Sequence, residues 1–295
     1  SCSGAAQSAR KGLHSNKAGT TARPGRCWFR IAAIRDAIRP MNLNDQQFPT
    51  PMTEADNLRR MMRSLSPVQP DRPLVRVGPQ GDGGYLVPDD LDGILACFSP
   101  GVAEVSGFEL ACAEKGMAVY MADPSVEAPA GSHPAFHFTR KFIGATKTRH
   151  FLSMEHWVEQ SLGPADGDLL LQMDIEGYEY ETLFAMPDAL LRRFRIIVVE
   201  FHHLHHFYSQ PYFRLASRVF DRLLGQHACV HIHPNNCATA VYRQGLSIPR
   251  VMEFTFYRRD RLTSTTPATT FPHPLDTDNT TNSTLILPDC WYRRD

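Results

Sequence analysis

Four places in this chain combine the residue types and spacing that chemistry needs. Asp174 and Glu176 follow the apolar run Leu169-Leu170-Leu171-Gln172-Met173 and precede Gly177. Glu200, His202 and His203 follow Ile196-Ile197-Val198-Val199, His233 and Asn235 end a third apolar segment, and Asp123 ends a fourth, just before Pro124. Open α/β sheets expose their chemistry at the carboxyl ends of strands, so acids and imidazoles there are candidate site residues. Asp174, Glu200 and His233 should converge on one edge, with His202, His203 and Asn235 adding nitrogen and oxygen donors. Hard oxygen donors with one or two imidazoles suit Mg²⁺ or Mn²⁺ more than Zn²⁺. Such an ion would lower the pKa of a bound hydroxyl. Without it, His202 is the candidate general base.

Plainer readings stand beside these. Asp174 can cap the helix that starts near Tyr178, and Glu176 can favour its N-terminus. His205 and His206 are expected in an exposed loop, and Tyr178 and Tyr180 are expected to pack. His231 is expected on the strand face opposite His233, packed in the core. Asn235-Asn236 can simply turn the chain. Gly81-Asp82-Gly83-Gly84 suits either a hairpin turn or a loop that closes over a ligand.

The elements that must position these residues alternate. Thr53–Leu65 reads as an amphipathic helix with Thr53 as cap, stopped by Pro67, Pro70 and Pro73. Residues 75–88 form two short strands around the glycine turn. Strands then follow at Ile94–Ser99, Met117–Ala122, Ala135–Phe142, 169–173, Arg195–Phe201, Ala228–His233 and Val251–Arg258. Helical segments lie at Ser106–Lys115, Met154–Leu162, from Tyr178 to about Phe194 with a break near Pro187, and at Tyr212–Leu224. Strands spaced by helices imply an α/β fold with a doubly wound, mostly parallel sheet. The domain is expected over 74–262, after an N-terminal helical extension at 41–73. The Thr/Pro/Asn-rich tail, 263–295, should lie packed on the surface.

Length, charge and cysteines narrow the class. The 295 residues carry 31 Lys/Arg and 31 Asp/Glu, but residues 1–40 hold eight of the bases and only one acid, Asp36. Removing them leaves 23 bases against 30 acids, a net charge of −7. An acidic globular part argues against nucleic acid as partner. No apolar run is long enough to span a membrane. Residues 1–40 read as a disordered or non-native leader, with a composition that also suits a transit peptide, and Met41 as the natural start. Seven cysteines without a CxxC pair, several inside apolar elements, read as buried free thiols, so a cytoplasmic location is expected.

The first strand–turn–strand of the alternation bears on the ligand. Gly101 and Gly107 are too far apart for the GxGxxG fingerprint, which counts against NAD and FAD, while Asp123 stands where an acid takes ribose hydroxyls. A nucleoside without pyrophosphate demands less of the loop. Several stretches together resemble the FkbM-type S-adenosylmethionine-dependent methyltransferases over roughly residues 74–260. They are Arg76-Val77-Gly78-Pro79 with Asp82-Gly83-Gly84-Tyr85, Phe98-Ser99-Pro100-Gly101-Val102 with Phe108-Glu109, Asp123-Pro124, and above all Met173-Asp174-Ile175-Glu176-Gly177-Tyr178-Glu179. Val199-Glu200-Phe201-His202 and His231-Ile232-His233-Pro234-Asn235-Asn236 also look like that family. The resemblance implies a Rossmann-like class I methyltransferase fold of seven strands, the last antiparallel and inserted near Val251–Arg258. It also implies S-adenosylmethionine, held by Ser99, Gly101, Glu104, Asp123 and Asp174, and O-methylation of a small-molecule or sugar hydroxyl. Asp174 and His202 are the catalytic candidates, and Asp174, Glu200 and His233 the metal candidates. The rival readings are a non-catalytic nucleoside-binding module of the same fold and a metal-dependent hydrolase.

Overall fold

The computed structural model describes residues 50–102 and 105–293. The expectations for residues 1–40, the start at Met41 and the site residue Glu104 fall outside them. A short hairpin, β1 (Leu74–Val77) and β2 (Tyr85–Pro88), precedes the main sheet. That sheet is built from β3 (Ala96–Pro100), β4 (Ala118–Ala122), β5 (Phe136–Thr139), β8 (Leu169–Met173), β9 (Phe194–Phe201), β10 (His227–Pro234) and β13 (Met252–Arg258). Its strand order is β10-β13-β9-β8-β3-β4-β5. The five strands from β9 to β5 run parallel, and β13 is antiparallel to both β9 and β10. This is the mixed seven-stranded sheet that the resemblance implies, with its inserted antiparallel strand.

The central strands are apolar without alternation because both of their faces are covered. Every residue of β3, β8 and β9 is buried. Successive side chains point to opposite faces. Accordingly Phe98, Leu171, Ile197 and Val199 join one core, while Cys97, Leu170, Ile196 and Val198 join the other. The first core is closed by α1 (Ala55–Leu65), α3 (Met154–Leu162), α4 (Glu179–Ala185), the one-turn α5 (Asp188–Leu191) and α6 (Gln210–Gln226). The second is closed by α2 (Gly107–Glu114) and the β1–β2 hairpin. The sheet is therefore doubly wound.

Local departures have identifiable causes. The expected strand Ala135–Phe142 is two: after Thr139 the chain bends, and β6 (Phe142–Gly144) leaves the sheet to pair with β7 (Phe151–Ser153). Thr53 does not cap α1. Glu54 holds that position, while Thr53 donates its hydroxyl to the Phe207 carbonyl at 2.6 Å and ties the helix to the turn after β9. The small hairpin β11 (Val241–Arg243) and β12 (Leu246–Ile248) completes the strands.

The tail does more than cover the surface. Trp291 is fully buried, stacking edge-on to Phe254 and donating its indole N–H to the Ser247 carbonyl. Further back, Asp276 enters between two rings of β10: its Oδ1 lies 3.0 Å from His231 Nε2 and its Oδ2 3.6 Å from His233 Nδ1. His231 and His233 thus share a face, contrary to the expectation, because residues two apart in a strand project to the same side. Burial opposes ionisation of both partners. Even so, Asp276, Glu253 and Asp278 hold His233 above the ordinary imidazole value, and the two imidazoles hold Asp276 below the carboxylate range.

A raised His233 stabilises fully below the unfolded imidazole pKa, and that stability is lost as pH climbs through its folded value. A depressed Asp276 stabilises above the unfolded carboxylate pKa and loses this only as pH falls through its low folded value. The clasp should be strongest between about pH 4 and pH 6.5. In thermal unfolding, the stability difference between the wild type and His233→Gln should therefore shrink as pH is raised from about 6. A difference that grew with pH would contradict the pairing.

Candidate functional site

The turns after β3, β8 and β9 meet at the carboxyl edge. Asp174 donates its backbone N–H to the Pro100 carbonyl at 3.2 Å. Gly101, at φ 89°, lies so close that a Cβ would overlap the Asp174 carbonyl oxygen. No other residue allows this approach, and the left-handed φ also favours glycine. The result is a contact where the strand order reverses, the position at which such sheets bind ligands.

A cavity of about 240 Å³ opens beside that contact, lined among others by Gly101, Asp123, Phe142, Ile143, Asp174 and Tyr178. It is small for a ligand pocket, near the size of a nucleoside. Asp123 stands at its wall after β4, with Oδ1 accepting the Ser125 backbone N–H at 2.7 Å. On the other side of Gly101 and Asp174 lies a hollow of about 20 Å³, bounded by Asp82 and Gly83 of the glycine turn. The turn closes the hairpin, and its Asp82 and Gly83 border this hollow. Arg76 keeps it in place through the Pro79 and Gly81 carbonyls.

Ser99 is placed differently from the expectation of cofactor contact. It is fully buried, with its Oγ 2.6 Å from both Glu109 Oε1 and Gln172 Oε1. Burial raises the Glu109 carboxyl above its ordinary value. Gln172 in turn donates to Tyr85 Oη. Ser99 supports the wall beneath the cavity.

The acids and His202 converge. His202 Nε2 lies 3.4 Å from Glu176, 3.5 Å from Glu200 and 4.0 Å from Asp174. On its other edge, Nδ1 donates to Glu179 Oε1 at 3.1 Å. The same oxygen accepts the backbone N–H groups of Ile175 and Gly177, at 3.2 and 3.0 Å. Glu179 therefore holds the turn after β8 and orients the imidazole after β9. The turn is strained, with Glu176 at φ 58°, and a Cβ on Gly177 would press on the His203 ring. Burial would lower the His202 pKa, but the carboxylates of Glu179, Glu200 and Asp174 together raise it well above the ordinary imidazole value.

Glu200 is buried with Asn235 donating to its Oε2 at 3.1 Å, which orients the carboxyl and gives Asn235 more than a turn to make. Burial and Asp174 push the Glu200 pKa well up. His233 does not join Asp174 and Glu200. The register places Glu253 between it and Glu200, and Asp276 occupies the His233 ring. His202 takes the expected place of His233 in the acid cluster, because Asp174, Glu200 and His202 each offer a ligand atom within 4.8 Å of the others. Tyr180 packs as expected among Phe201, Phe207 and Phe220, whereas Tyr178 lines the cavity. His206 is exposed and His205 half-buried.

Three residues escape the sequence reading. Glu179 follows Asp174 by five positions and looks like an ordinary first-turn helix acid. Glu253 hides in the inserted strand, where burial raises its pKa to about 7. Asp276 lies in a tail without periodicity. Only Glu179 carried a signal, as the last residue of the quoted Asp174–Glu179 stretch. Replacing it, Glu179→Gln, removes the charge that three N–H donors share. The loss should be about 1.5–3 kcal/mol in chemical denaturation.

Strands in this order, with a nucleoside-sized cavity at the reversal point and an acid after β4, define a Rossmann-like methyltransferase fold. Residues 109–226 match the family model described as the methyltransferase FkbM domain, and this match supports a methyltransferase. The matched span includes Asp123, Asp174, Glu179, Glu200 and His202. No curated protein matches the chain. No helix among the described residues is long and apolar enough to cross a membrane.

Proposed function

We propose that this protein is an S-adenosylmethionine-dependent methyltransferase acting on a hydroxyl group of a small molecule or sugar. The observation that carries the reading is the cavity walled by Gly101, Asp123 and Asp174 at the strand-order reversal. The residues fit the cofactor. Gly101 lines the cavity without a side chain, Asp123 is an acid at its wall, and the lining at Phe142, Ile143 and Tyr178 accepts a flat ring. The cofactor, when bound, would supply a sulfonium methyl group: the acceptor oxygen would form the new C–O bond, the C–S bond would break to leave a neutral thioether, and the hydroxyl proton would pass to the Asp174 carboxylate.

The chain's own part is positioning and proton handling. Asp123 takes the ribose hydroxyls as a hydrogen-bond acceptor. Asp174, which borders both the cavity and the small hollow, accepts the hydrogen bond of an acceptor hydroxyl and aligns its oxygen. Methyl transfer needs in-line approach above all, and holding two reactants in line supplies much of the rate. The glycine turn at 81–84 and Tyr85 limit water access from the far side. The buried free thiols Cys97, Cys112 and Cys229 suit a reducing compartment, and we place the reaction in the cytoplasm.

Calorimetric titration with S-adenosylmethionine tests this. The wild type should bind, and Asp123→Ala should bind at least about tenfold more weakly, the scale of one hydrogen-bonded charge. Absence of binding by the wild type would sink the reading.

A further inference from the structure

We propose a divalent-cation site, for Mn²⁺ or Mg²⁺, formed by Asp174, Glu200 and His202 and oriented by Glu179. The cluster alone would not be enough, since acidic groups often gather without an ion. The second observation is His202. Its ring is nine-tenths buried, Nδ1 is engaged by Glu179, and Nε2 faces the carboxylates without a hydrogen bond of its own. A buried imidazole held at one nitrogen by a carboxylate and presenting the other to oxygen donors is the arrangement of a metal-ligating histidine, in which the outer carboxylate sets tautomer and ring angle. Asn235 does the same for Glu200, binding Oε2 while Oε1 faces His202 at 3.5 Å.

The surrounding oxygens point the same way. Four carboxyl groups, from Asp174, Glu176, Glu179 and Glu200, lie within 4.0 Å of this one ring, and those of Asp174, Glu176 and Glu200 face its Nε2 edge. Ligand atoms within 4.8 Å of one another surround one ion after a modest contraction, given metal–oxygen distances of about 2.0–2.2 Å. Two carboxylates and one imidazole leave half of an octahedron open for water or an acceptor hydroxyl. No thiolate is in the group, and the oxygen-rich set suits Mn²⁺ or Mg²⁺. His233, held by Asp276, plays no part.

The site stands on geometry independent of cofactor binding, so its test needs neither cofactor nor acceptor. Titrating the full chain with Mn²⁺ and recording electron spin-echo modulation of the bound ion should reveal one directly coordinated nitrogen. His202→Gln should remove that nitrogen signal, His233→Gln should leave it, and Glu200→Gln should weaken Mn²⁺ binding at least about tenfold, as loss of a ligand does. Circular dichroism checks that the variants fold, and the wild-type spectrum stands even if one does not. Bound Mn²⁺ without nitrogen coupling, a signal that survives His202→Gln, or no Mn²⁺ binding at millimolar concentration would each overturn the proposal. Manganese binding without S-adenosylmethionine binding would support this site and refute the methyltransferase reading.

Discussion

One buried oxygen, Oε1 of Glu179, gathers three donors from two different strand ends: the N–H groups of Ile175 and Gly177 after β8 and Nδ1 of His202 after β9. Taking a carboxylate out of water is costly unless its hydrogen bonds are replaced. Here the replacement is made by the groups that need fixing. The His202 imidazole and the backbone N–H groups of Gly177 and Glu179 pull the Glu179 pKa down although burial pushes it up. The left-handed turn at Glu176 and Gly177 would otherwise be a strained, exposed loop. With Glu179 beneath it, Asp174 and Glu176 are aimed at the same point as Glu200.

The second constraint is closeness. Gly101 and Asp174 touch backbone to backbone, which joins the ligand cavity beside β4 to the acid cluster beside β9. Asp174 belongs to both. The buried network of Ser99, Glu109, Gln172 and Tyr85 backs this wall with hydrogen bonds. Such fully connected networks rigidify what they support.

The antiparallel wing of the sheet is organised by the tail. Asp276 between His231 and His233, Asn279 on Glu253, and Thr280 on Asn236 fasten residues 276–280 over β10 and β13. Thr277 and Leu275 also reach the glycine turn, through Gly81 and Arg76. The same segment that neutralises buried histidines therefore also steadies the loop over the small hollow.

What the sequence alone determined follows from periodicity and from residues at strand ends. The unbroken apolar runs at 169–173 and 194–201 mark strands covered on both faces, the switch to helical spacing marks the crossovers, and acids after the runs mark the edge. These are local signals, so the α/β class, most element bounds and the position of Asp123, Asp174, Glu200 and His202 at strand ends were legible. Which imidazole joins which carboxylate was not. His202 and His233 are equivalent on a strand-end reading, and only the lateral order β10-β13-β9-β8, with Glu253 between, separates His233 from Asp174. The partner of His233 comes from 43 residues further along, in a tail with no periodicity to announce it. Contacts between segments distant in sequence are decided by packing and burial, and no local pattern encodes them.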